Sequence, residues 1–211
     1  MPLISFRGGI HVISKLKEVP EALEALSSMK LLGFDTETRP AFHRGISNPV
    51  ALLQLSGDSD AFLFRLREVG LPRQLIDLME NPSILKVGVA IHDDIRALQE
   101  NRNFEPRGFI DLADIARELG IVTTGLRNLS GIVLGTRISK RFQLSNWERK
   151  TLDENQKVYA ATDAWVCREI YRRLKEEGFM QEDESPDSPP AKPESSGSVN
   201  QNRMAHEHHR S

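Results

Sequence analysis

LLGFDTETRP, residues 31–40, is the stretch whose reading decides the fold. Leu31, Leu32, Gly33 and Phe34 run directly into Asp35, Thr36 and Glu37, the pattern of a buried strand that ends at a polar loop. Asp35 and Glu37 are two residues apart, so on a strand both carboxylates point to one face of the sheet. Two further strand candidates follow closely, VALLQLS (50–56) and AFLFRL (61–66), separated by turn chemistry at Gly57 and Asp58. Upstream, IHVIS (10–14) reads as a short strand and VPEALEALSSM (19–29) as an amphipathic helix.

Downstream the pattern changes to alternation. A helix over LPRQLIDLME (71–80) precedes a buried strand, ILKVGVA (84–90), and then a helix over DDIRALQEN (93–101). A short FIDL strand (109–112) leads into the helix LADIARELG (112–120), where Asp111 reads as a capping residue and is left out of any metal set. GLRNLSGIVLG (125–135) is helical with a terminal glycine as its stop. Thr151 and Glu154 form a T-x-x-E capping box that starts a long helix running to about Lys175. Hairpin-like strands followed by strand–helix alternation predict an α/β fold, a mixed sheet of about five to six strands flanked by helices.

Composition narrows the class. The 211 residues suffice for one ordinary domain, and 39% hydrophobic with 27% charged residues is a globular balance. No apolar run approaches the roughly 20 residues of a membrane helix. MPLISFRGGIHVISKL, at the start, has neither a long apolar stretch nor a small-residue cleavage site, so no secretion signal is read and the expected location is cytoplasmic. Cys167, the single cysteine, sits mid-helix among apolar neighbours and reads as an inert buried thiol. Composition shifts near Gly178: residues 1–178 read as one domain, and 179–211, rich in Ser, Pro and acids, as a disordered polar tail. His206, His208 and His209 in that tail have no companion ligands. The net charge of −2 neither announces nor excludes a nucleic-acid partner, because cations meeting phosphates reduce the need for basic surface.

Four acids lie in three separated segments: Asp35 and Glu37, Asp94 in KVGVAIHDDIRAL, and Asp163 in VYAATDAWVC. Each segment alone is equally compatible with a capping or surface role. Together they suggest a divalent-cation site, since burying several acids in one place is costly unless cations neutralise them. Asp94 rather than its neighbour Asp93 shares a helical stripe with Ile91, Ile95 and Leu98, and Asp93 is better placed to cap the helix. Tyr159 and Asp163, at i and i+4, share one helix face, which sets a phenol beside a carboxylate.

FDTE, GVAIHDDIRAL and LSNWERKTLDENQKVYAATDA, in this order, resemble the three motifs of the DEDDy group of 3′→5′ exonucleases, which includes the exonuclease domain of the Werner-syndrome helicase and the catalytic domain of ribonuclease D. The likeness covers about residues 10–175. It implies a ribonuclease H-like fold, two Mg²⁺ or Mn²⁺ ions and release of nucleoside monophosphates from a nucleic-acid 3′ end. Carried over by position, Asp35, Glu37, Asp94 and Asp163 would be the metal ligands, and Tyr159 would position the attacking water. His92, beside this motif, is expected to act only locally.

Around that set, Arg39, His43 and Arg44 are candidates for phosphate contacts at the rim, and Lys140, Arg141, Asn146, Arg149 and Lys150 populate the loop before the last helix. Trp147 in the same loop would either stack on a base or pack the loop against the domain. Leu53 and Gln54 receive no role. Nothing resembles a helicase or the helical RNA-binding domains that accompany ribonuclease D, so substrate choice is expected to depend on a protein partner or on homo-oligomerisation. The alternatives are a catalytically silent nucleic-acid-binding or scaffold module on the same fold, and a metal hydrolase acting on small phosphoesters. DNA and RNA stay undistinguished, because a 2′-hydroxyl contact is a local geometric feature.

Overall fold

A computed structural model describes residues 1–41 and 48–180. Its centre is one six-stranded sheet: β1 (Gly9–Ile13), β2 (Leu31–Thr38), β3 (Val50–Ser56), β4 (Asp60–Arg65), β5 (Leu85–Gly88) and β6 (Phe109–Asp111), in the order β1-β4-β3-β2-β5-β6. β2, β3 and β4 pair antiparallel, whereas β1 joins β4, and β5 joins both β2 and β6, in parallel. The helices are α1 (Val19–Ser27), α2 (Leu66–Val69), α3 (Arg73–Met79), α4 (His92–Asn101), α5 (Leu112–Glu118), α6 (Leu126–Leu134) and α7 (Glu154–Glu176). This is the mixed α/β arrangement the pattern predicts. Among the described residues, no helix is long and apolar enough to cross a membrane.

Strand alternation divides the core. Leu32 and Phe34 of β2, with Leu53 and Leu55 of β3, pack against Leu23 and Leu26 of α1 and Leu75 and Ile76 of α3. Each such side chain, removed from water, contributes roughly 2 kcal/mol. The odd-numbered residues of β2 face α7, which reaches the sheet through Ala160, Ala161 and Ala164, all fully buried. Gly33 fixes the depth of that approach, because a Cβ there would lie 1.8 Å from the Ala164 carbonyl oxygen. α7 therefore runs close over β2 immediately beside Asp35 and Glu37.

Three local expectations need correction. The capping box of α7 is formed by Asp153 and Gln156: the Asp153 side chain accepts from Gln156 N–H, and Gln156 Oε1 accepts from Asp153 N–H. Thr151 lies outside it, since the helix begins at Glu154. Asp93 does not cap α4; it is highly exposed and pairs with Arg96 at 2.9 Å. The start of α4 is held from another element, with Ala90 and Ile91 N–H donating to the Asp111 carboxylate at 2.8 and 3.0 Å. That anchor also shortens the strand read over 84–90, because Ala90, at φ 58°, turns the chain out of β5 and into α4.

Candidate metal centre

β2 delivers Asp35 and Glu37 to the α7 side of the sheet, and α7 delivers Asp163 back onto them. One carboxylate oxygen from each of the three lies within 4.8 Å of the other two. Tyr159, one turn before Asp163, lines the same cleft. Asp94 approaches from the other side of β2, where its Oδ1 accepts a hydrogen bond from the Thr36 hydroxyl. It stands outside the three-acid cluster, yet its charge still acts on Asp35 and Glu37. Asp94 is partly buried and Asp93 is exposed, in line with the reading that Asp94 is the inward acid.

The electrostatics are those of acids with insufficient compensation. Burial, then the charges of Asp163 and Asp94, hold the Asp35 carboxyl well above the ordinary carboxylate range. Burial, then the charges of Asp35, Asp163 and Asp94, push Glu37 up to about 10. Asp163 rises to about 7 through burial, partly offset by the Tyr159 hydroxyl and the Arg127 guanidinium. Asp94 is raised mainly by burial, against the Thr36 hydrogen bond. Tyr159 is pushed upward by burial and by Asp163 and Glu37, so its phenol keeps its proton at any working pH.

A divalent cation fits this donor set. Asp163, 6% exposed, has one carboxylate oxygen, Oδ1, that is buried and without a hydrogen-bond partner. An orphaned buried oxygen costs about 1–3 kcal/mol unless something satisfies it. Clustered carboxylate oxygens are hard donors of the kind Mg²⁺ and Mn²⁺ take.

The acids open into a cleft of about 830 Å³, whose remaining wall sequence reading did not identify as a unit. Arg127 and Asn128 of α6, with Arg137, Lys140 and Gln143 beyond it, line this wall. Only Lys140 had been singled out. Arg127 and Asn128 lie on the polar face of an amphipathic helix, where a string shows solvent exposure but not what the face looks at.

The other predicted contacts are dispersed. Trp147 is corrected: it is fully buried, its ring centroid is 5.9 Å from that of Tyr159, and it presents no face to a base. It packs the loop and backs the Tyr159 ring. Arg39 is exposed and 3.5 Å from Glu148. Arg44 and His43 lie outside the described residues, as do the histidines of the tail.

A second group, His92, Asp111 and Asp114, also meets within 4.8 Å. Its surroundings suit a cation poorly. Asp111 already accepts three backbone hydrogen bonds, and Arg96 and Arg107 line the same cleft beside the start of α4.

A mixed sheet with three acids converging at β2 and α7 defines an α/β fold of ribonuclease H-like type, and solved structures agree. The EXO domain of Nibbler from Aedes aegypti superposes with a TM-score of 0.74, at 24% identity, covering 83% of this chain and 94% of that one. Escherichia coli ribonuclease D gives 0.70 at 20% identity, covering 82% and 47%. Residues 10–178 match the family model described as 3′-5′ exonuclease, and the chain belongs to that family. The mouse protein named "Bifunctional 3'-5' exonuclease/ATP-dependent helicase WRN" is 34% identical over 184 residues, 82% of this chain. A Drosophila melanogaster "Exonuclease 3'-5' domain-containing protein 2" is 38% identical over 151 residues, 70% of this chain. The aligned parts are only 13% and 26% of those two relatives.

Proposed function

We propose that this chain is a divalent-cation-dependent 3′→5′ exonuclease, hydrolysing the terminal phosphodiester bond at a nucleic-acid 3′ end and releasing nucleoside monophosphates. The observation that carries this reading is the convergence of Asp35, Glu37 and Asp163 on one point of an open cleft, with Asp163 Oδ1 buried and unpartnered.

Asp35, Glu37 and Asp163 would hold the cations, Mg²⁺ or Mn²⁺, with Asp94 joining them once it leaves Thr36. Bound there, a pair of cations supplies Lewis-acid stabilisation of the phosphate and of the departing 3′ oxygen, and favours ionisation of water near neutral pH. Tyr159 stays protonated, so its hydroxyl both donates and accepts, and it orients water against the phosphorus with Glu37. Trp147 behind it limits the ring's movement. Arg127, Arg137 and Lys140 line the same cleft as the acids and would offer charge to the phosphates of the incoming strand. A mixed wall of this kind holds backbone rather than base edges, which suits an enzyme that removes one nucleotide after another.

The test is degradation of 5′-labelled DNA and RNA, each single-stranded and 3′-recessed, with Mg²⁺ and with Mn²⁺. A ladder that shortens from the 3′ end, abolished by Asp35→Ala with circular dichroism retained, is the expected result. Tight oligonucleotide binding without cation-stimulated cleavage would replace it with a scaffold reading. Turnover of small phosphoesters, indifferent to a blocked 3′ end, would replace it with a different hydrolase.

A further inference from the structure

β3 carries a residue that neither packing nor hydrogen bonding accounts for. Gln54 is completely buried, and both of its side-chain polar atoms, Nε2 and Oε1, lack a hydrogen-bond partner. Its neighbours in the strand, Leu53 and Leu55, point into the apolar core, and a leucine or methionine would fill the same space without a polar group to satisfy. Buried polar groups left unpaired in a native interior call for an explanation, an unmade bond among them.

Register supplies that bond. Gln54 stands directly opposite Asp35 in the antiparallel β2–β3 pair, on the face that α7 covers. Directly opposed residues place their Cβ atoms about 4.5–5.5 Å apart, within reach of a glutamine amide for a short carboxylate. On the other side Gln54 is opposed by Leu63, which offers no polar atom from its side chain. A carboxylate is a strong acceptor for such an amide.

We infer that Gln54 is a positioning residue for Asp35, its Nε2 donating to the Asp35 oxygen that is not turned to the cation. This rests on the cation-site reading above. Outer hydrogen bonds of this type orient a ligating carboxylate, and their loss typically costs 10–100-fold in metal affinity.

The experiment compares wild type with Gln54→Met and Gln54→Leu, titrating Mn²⁺ by electron paramagnetic resonance and following thermal unfolding without cation. The expected result is Mn²⁺ affinity reduced by about 10–100-fold in both variants, with an unloaded melting temperature equal to or above that of wild type. Unchanged affinity, or a lower melting temperature with affinity intact, would overturn the assignment and leave Gln54 structural. A measurement on wild type alone covers variants that fail to fold: the Gln54 side-chain amide protons should shift and exchange more slowly on saturation with Mg²⁺, and a static signal would overturn it. Wild type that binds no Mn²⁺ would instead remove the cation site itself, an outcome distinct from a Gln54 failure.

Discussion

Asp163 and Asp111 are the same residue with nearly the same burial, 6% and 7% exposed, and they sit in opposite situations. Asp111, at the end of β6, accepts from the N–H groups of Ala90, Ile91 and Ala113, and so closes the start of α4 and caps α5 with one side chain. Asp163, in the middle of α7, keeps a buried oxygen with no donor and faces two further acids. A buried carboxylate that backbone donors have satisfied is a structural device. One that lacks them, among like charges, is stable only with its proton or with a cation.

The comparison breaks most sharply at Asp163. On the proposed function, Asp163→Asn should lower cation-dependent turnover at least roughly a thousandfold, since a carboxylate that would hold the cation is lost. The unloaded protein should unfold no earlier than wild type, because a buried, crowded acid has been neutralised. Turnover by steady-state assay and denaturant melting, taken together, check both halves. Asp111→Ala should do the reverse. Leaving three N–H groups without an acceptor costs about 3 kcal/mol, measured as a lower denaturant midpoint, while the cation affinity of the remaining folded protein moves less. A variant at Asp111 that keeps its stability but loses cation binding would erase the distinction.

Tyr159→Phe sharpens the comparison within the site itself. The ring stays packed on Trp147, and only the hydroxyl goes. Loss of a water-orienting group should reduce kcat by about a hundredfold and leave cation affinity unchanged, as single-turnover kinetics and a Mn²⁺ titration would show.

The unloaded fold should also respond to pH. Glu37 and Asp163 have folded pKa values of about 10 and about 7, raised from 4.5 and 3.8. Protonated carboxyls raised in this way stabilise the unloaded fold fully below their unfolded values. The contribution is lost as pH rises through about 7 for Asp163 and about 10 for Glu37. The melting temperature without cation should therefore decline from about pH 5 to about pH 9, and saturating Mg²⁺ should flatten the slope. Binding should also release protons, detectable by calorimetry in buffers of different ionisation enthalpy.

Much of this was legible in the string. Alternation along LLGFDTE gives β2 two distinct faces, so the shared direction of Asp35 and Glu37 follows from covalent geometry alone. The i, i+4 spacing of Tyr159 and Asp163 follows in the same way from the helix. Other features were hidden because their partners are distant in sequence. Asp111 read as a local cap, and nothing nearby suggests that it also holds residues 90 and 91. Lys86 read as part of an apolar strand; the structure buries it, with Nζ donating to the Leu78 and Asn81 carbonyls and its pKa lowered to about 7 by desolvation.

What the sequence by itself determined was the α/β class, the identity of the acids and the side of each element they occupy, because periodicities of 2 and 3.6 are properties of the chain. Tertiary structure alone decided which carboxylates meet, that Trp147 lies behind Tyr159 rather than in front of a base, that Arg127 and Arg137 line the same cleft as the acids, and that Gln54 stands opposite Asp35. Each of these depends on strand register and on how deeply α7 lies over Gly33. Long-range pairing sets both, and no local pattern encodes it.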